Sequence, residues 1–167
     1  TAGVNGSVRS MQFEPQTGIL LVDRHSHLND SRIFEITSKG ITGPYIVADH
    51  GYRYGTHAPG RVEPESALAA AHHLLVAHGL AVQAIRAAAP QASVGIVLNL
   101  EPKHPASPHL LDLEAAIVAH DQLNRWFLDP LVGRAYPETP AWAAGHARDE
   151  VRDGDMALIA APLDFLG

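Results

Sequence analysis

The sequence predicts an α/β fold with a β-rich piece in front of it. Three observations lead there. After residue 60 the elements run helix, strand, helix, strand, the order of a sheet with parallel pairing. SVGIVLNL, residues 93–100, is a continuous apolar run without alternation, as expected of a parallel strand covered on both faces. Residues 1–42 instead hold short runs rich in Val, Ile, Leu and Phe, punctuated by Gly, Pro, Asn and Asp.

Each element follows from local chemistry. VRSMQFEP, TGILLVDR and SRIFEIT read as three strands of a β-meander, with EPQTG a hairpin turn and HSHLND a longer connection. Such a meander is marginal alone, because its apolar face needs a cover. ESALAAAHHLLVAHGLAVQAIRAAAP is a helix opened by Glu65 or Ser66 and ended by Pro90. Leu68, Ala71, Leu75, Val82 and Ile85 form its apolar stripe, and Gly79 is a soft spot within it. LLDLEAAIVAHDQLNRWFLDPL is a second amphipathic helix, with Leu113, Ile117, His120, Asn124 and Phe127 along one side. Trp126, Phe127 and Trp142 read as core or helix-packing residues, and Arg125 and Asp129 are spaced to pair. A short helix is expected near GDMALIA, and PLDFLG begins a further strand.

Composition narrows the function classes. The 167 residues suffice for one ordinary domain, and 46% apolar against 18% charged residues is a globular balance. A net charge of -6 without a basic stripe argues against a nucleic-acid partner. The absence of cysteine excludes disulfides and thiolate metal sites. No apolar run approaches the roughly 20 residues of a spanning helix, so no membrane partner is expected. TAGVNGSVRS shows no export signal, and a cytoplasmic location is the simplest expectation.

Eleven histidines invite a metal hypothesis. His72 and His73 are adjacent, however, and on a helix they point about 100° apart. His25 and His27 would share a strand face, but no third ligand follows at a suitable spacing. Neither a metal nor a cofactor is expected.

GYRYGTHAPGR, residues 51–61, fits neither helix nor strand periodicity. In an α/β sheet the chemistry lies at the carboxyl ends of the strands. A loop of this composition, following a strand near ITGP or IVAD, would wall a pocket with His57 and its tyrosines. Asn99 and Glu101, at the end of the 93–100 strand, would share that rim.

Five motifs in order then carry a resemblance: GYRYGTHAPG, AHHLLVAHGLAVQAIR, VGIVLNLEPKHPAS, NRWFLDPLVGRAYP and VRDGDMALIAAPLDFLG. Residues 43–167 resemble glycoside hydrolase family 1, the β-glucosidases and β-galactosidases on an eight-stranded (β/α) barrel. The resemblance implies a partial (β/α)8 TIM-barrel segment, from the loop after the fourth strand to the start of the sixth. Residues 1–42 remain a β-rich segment of unclear origin. It also implies retaining hydrolysis of β-glucosides by two Glu carboxyl groups about 5–5.5 Å apart. The family's acid/base lies in an Asn-Glu-Pro motif. Here Thr42 and Gly43 stand where the Asn and Glu belong, ahead of Pro44. The nucleophile belongs to a later Glu-Asn-Gly motif that these residues do not reach. No catalytic residue can therefore be assigned.

The resemblance makes Tyr45, His57 and Asn99 candidate substrate-binding residues. Tyr45 takes the place of an aromatic that stacks on sugar, with a core Tyr as the alternative. His57 belongs to the aglycone wall or bonds its local backbone. Asn99 presents a donor and an acceptor to sugar hydroxyls or bonds its own turn. Glu101 is a remote substitute donor, a solvated loop carboxylate being the simpler reading.

The expected partner is a small carbohydrate, a β-glucoside. Because two barrel strands cannot close a barrel, another chain completing the sheet is the other expected partner. A non-catalytic carbohydrate-binding or interaction module, or a truncated or chimeric gene product, is the alternative function.

Overall fold

The computed structural model describes the backbone of residues 8–14, 19–24 and 32–36, and residues 43–139 and 150–167 with their side chains. Contacts divide the chain into two units, Thr1–Ile41 and Thr42–Gly167.

In the first unit β1 (Val8–Glu14), β2 (Ile19–Arg24) and β3 (Arg32–Ile36) pair antiparallel in the order β1-β2-β3. Glu14 faces Ile19 and Leu20 faces Ile36, with an irregularity between Val8 and Ser10. The EPQTG turn and HSHLND connection lie outside the described residues.

The second unit opens with a π-helical turn, Ile46–Arg53. This corrects two sequence expectations. IVAD is not a strand, and the first three residues of GYRYGTHAPGR are helical rather than loop. Its buried residues Ala48, Asp49, Gly51 and Tyr52 face the core, while Asp49 and Arg53 close an ion pair at 2.9 Å across one turn.

Helix α1 (Pro64–Ala88) starts where its chemistry dictates. Glu63 is extended, Pro64 takes the first helical position, and Ser66 Oγ donates to Glu63 Oε2 at 2.7 Å. The helix stops ahead of Pro90. Leu68, Ala71, Leu75 and Val82 are buried as the stripe requires, and Ile85 is half-buried. Burying Leu75 and Ile159 fully is worth about 1.5–3 kcal/mol each. At Gly79 an added Cβ would strike the backbone of Leu158, so glycine permits the close approach of the helix Asp155–Ile159.

Helix α1 departs from the expectation that no segment could span a bilayer: by length and composition, its 25 residues could. More than half of its apolar window is buried against this unit, along with His72 and His78, as in the core helix of a soluble domain.

Strand β4 (Gly95–Ile96) pairs parallel with β5 (Phe165–Leu166). Between them run α2 (Leu110–His120), a second π-helical turn (Asp121–Arg125), α3 (Trp126–Leu131) and α4 (Asp155–Ile159). This is a strand–helix–parallel-strand unit, the repeat from which (β/α) barrels are built.

The strand is shorter than SVGIVLNL suggested and is not covered on both faces. Val94, Ile96 and Leu98 are buried, whereas Val97 and Leu100 are exposed. A two-stranded sheet has helices on one face and nothing to cover the other among the described residues. Helix α2 differs in the same way. It buries no residue, and Leu113 and Ile117 of its predicted stripe are exposed. From the π-turn onward burial resumes, at Asp121, Leu123, Asn124, Trp126 and Phe127. Trp142 lies outside the described residues.

Candidate functional site

The first π-helical turn, β4 and the loop after each build the site. Gly43, just before the turn, is buried against the end of β4. A Cβ built on Gly43 would collide with Oδ1 of Asn99. Asn99 itself is exposed, so its carboxamide closes over Gly43 while remaining open to solvent.

Tyr45 is half-buried. Its ring meets Phe127 of α3 edge-on at 6.4 Å and His50 at 5.5 Å. Burial pushes its phenol up to about 12, helped by the nearby Tyr54 and Asp49. It is therefore a neutral hydroxyl at physiological pH. His57 is exposed and lies edge-on to His50 at 5.0 Å. Thr56 Oγ1 sits between the two imidazoles, 2.9 Å from His50 Nδ1 and 3.3 Å from His57 Nδ1.

His50 links Tyr45 to His57 through ring contacts, and Asn99 touches Gly43, two residues before Tyr45. No sequence pattern marked His50: it lies in the π-helical turn that ends at Arg53, and His57 lies beyond it in the following loop.

Glu101 is exposed and pairs with Lys103 Nζ at 2.9 Å. Its backbone is held from the second helical segment, because Asn124 donates to the Glu101 carbonyl at 2.8 Å and accepts its N–H at 2.9 Å. His120 Nδ1 lies 2.8 Å from the same Asn124 amide nitrogen. The buried Asn124 thereby fixes the chain just after Asn99, a role that sequence spacing did not signal.

Two further polar clusters are structural. His72, 1% exposed, lies 2.9 Å from the Tyr136 hydroxyl and 3.0 Å from Asp155 Oδ2. His73 is exposed near Glu150, so the adjacent histidines do diverge. Arg125 bridges Asp121 and Asp129, each at 2.8 Å, extending the expected Arg125–Asp129 pair; the hydrogen bonds it donates to Asp129 and then to Asp121 raise its pKa further. His78 is buried, and desolvation lowers its pKa, which keeps it neutral. Among the described residues no group of three or more His, Asp or Glu converges on a metal position. His25 and His27 lie outside them.

The arrangement offers an amide, a neutral phenol and two imidazoles along an exposed rim. Such groups hydrogen-bond hydroxyls and present aromatic faces to C–H surfaces.

The chain is 40% identical over 124 residues to a beta-glucosidase of an Agrobacterium species, covering 74% of this chain and 27% of that protein. Its fold matches the crystal structure of the AHE enzyme of Alicyclobacillus herbarius with a TM-score of 0.70 and 44% identity, over 75% of this chain and 29% of the other. It also matches the virulence factor SghA of Agrobacterium tumefaciens, solved in complex with its substrate analog salicin. That match has a TM-score of 0.69 and 38% identity, over 74% of this chain and 27% of the other. The chain thus spans little more than a quarter of the length of the proteins it matches. The sequence model of glycosyl hydrolase family 1 matches residues 38–167, and the chain belongs to that family.

Proposed function

We propose that this chain carries part of the sugar-facing rim of a β-glucoside site and neither of the two carboxylates that hydrolyse the glycosidic bond. Tyr45, His57 and Asn99 are the rim, joined by His50. The supporting observation is at Gly43. This position aligns with the family's acid/base, and it both lacks a side chain and has its space occupied by the Asn99 carboxamide. Retaining hydrolysis needs a carboxylic acid to protonate the leaving oxygen and a second carboxylate to attack the anomeric carbon. The 167 residues contain neither Asn-Glu-Pro nor Glu-Asn-Gly.

What this rim can do is bind. Asn99 offers one donor group and one acceptor to neighbouring hydroxyls, and His57 and Tyr45 bracket the apolar face of a ring. Its ligand is a small β-glucoside, of the class named for the relatives, in a cytoplasmic setting. Residues 43–167 act as the barrel segment, apart from the β-rich residues 1–42. The exposed Val97, Leu100, Phe165 and Leu166 favour further barrel strands as the cover of the two-stranded sheet.

Titration with an aryl β-glucoside tests the reading. Weak binding without turnover, lost in Asn99→Ala, is the expected result. Turnover abolished by replacing one carboxylate, Glu101 for instance, overturns it.

A further inference from the structure

A small cavity lies between the two π-helical turns, the start of α3 and α1. It leaves about 10 Å³ for the centre of a water-sized sphere. Ala67, Leu68 and Ala71 of α1 form its apolar wall. The other lining residues are Asp49 and Arg53 from the first π-turn, Gln122 from the second, and Trp126 at the start of α3.

Two features of this lining point to an occupant. Trp126 is 3% exposed, and its indole N–H has no hydrogen-bond partner among the described residues. Asp49 is 4% exposed; its Oδ1 takes Arg53 Nε at 2.9 Å and Gln122 Nε2 at 3.5 Å. An indole N–H only donates and an ionised carboxylate only accepts. An occupant that serves both must accept from one and donate to the other. A metal cation fails the first requirement, because the N–H presents its positive end. A space of about one probe sphere with several polar partners is the size that holds one water.

We infer that the cavity binds a single water molecule, which accepts from the Trp126 indole and donates to the Asp49 carboxylate. The water then ties the first π-helical turn to the start of α3 through side chains 77 residues apart in sequence. It also supplies the carboxylate with a hydrogen bond that opposes the desolvation acting on it.

Water-selective NOE spectroscopy on the 167-residue chain tests this, with Trp142→Phe identifying the Trp126 indole proton. The expected result is a negative water cross-peak at that proton, the sign of a long-lived bound water, and it persists in Tyr136→Phe, which removes the neighbouring hydroxyl as a relay. Crystals should show a density peak about 3 Å from Trp126 Nε1 and from an Asp49 carboxylate oxygen. Each of these results overturns the inference: no cross-peak, a cross-peak lost in Tyr136→Phe, or an indole bonded to a protein group. An indole proton exchanging as fast as free tryptophan does so too.

Discussion

Asn99 and Gly43 lie 56 residues apart in sequence, yet they share one space. Gly43→Ala therefore displaces the Asn99 carboxamide, but this is the far end of an exposed side chain that can swing aside, so the change should stay within about 0.5 kcal/mol. Denaturant melts of Gly43→Ala check this: a loss of several kcal/mol would show that Asn99 is held in place. A second residue makes a pH prediction. Burial pushes the Asp49 carboxyl from 3.8 up to about 6, with the Arg53 guanidinium opposing the shift. The fold thus favours the protonated form. Its contribution is full below about pH 4 and is lost as pH rises to about 6, by about 3 kcal/mol at most. Asp49→Asn should abolish that share of the slope in melts taken between pH 4 and 7. The sequence resemblance assigned Gly43 to the place of the family's acid, because a motif is local. It could not expose what fills the gap, because that contact depends on the fold.

At the scale of elements, local chemistry forecast the helices better than the strands. Helix α1 begins at Pro64 and ends before Pro90 because proline acts through its own backbone, which a sequence displays. The strand at SVGIVLNL looked longer and better covered because apolar runs record what a sheet requires, not how many neighbours are present. The π-turns were missed because a one-residue insertion leaves no mark on composition. Gly79 shows two effects in competition. Alanine there would gain about 1 kcal/mol of helix propensity, but its Cβ would meet the Leu158 backbone, which cannot swing aside as a side chain can. Gly79→Ala should accordingly lower the melting temperature rather than raise it. Asn124→Ala removes two hydrogen bonds to the Glu101 backbone and should cost about 1–3 kcal/mol. Faster amide exchange at Glu101 would locate that loss at the rim; unchanged exchange would show that Asn124 does not hold it.

Across the whole molecule, one property joins the site to the fold. The same unit that assembles a coherent rim leaves Leu110, Leu111, Ile117 and Phe165 at least half exposed. A family segment covering about a quarter of its relatives' length keeps the internal contacts of its helices, and the surfaces that meet the rest of a barrel stay open. On the proposed reading, binding and catalysis separate along the same line. A rim is built from neighbouring loops, whereas the two carboxylates of a retaining glycosidase come from different strands. The most direct measurement is release of the aryl group from an aryl β-glucoside by the purified chain, followed beside equilibrium binding of the same compound. Saturable binding that Asn99→Ala weakens, with hydrolysis no faster than in buffer alone, is the expected result. Hydrolysis above buffer that disappears on replacing a single Asp or Glu would contradict it.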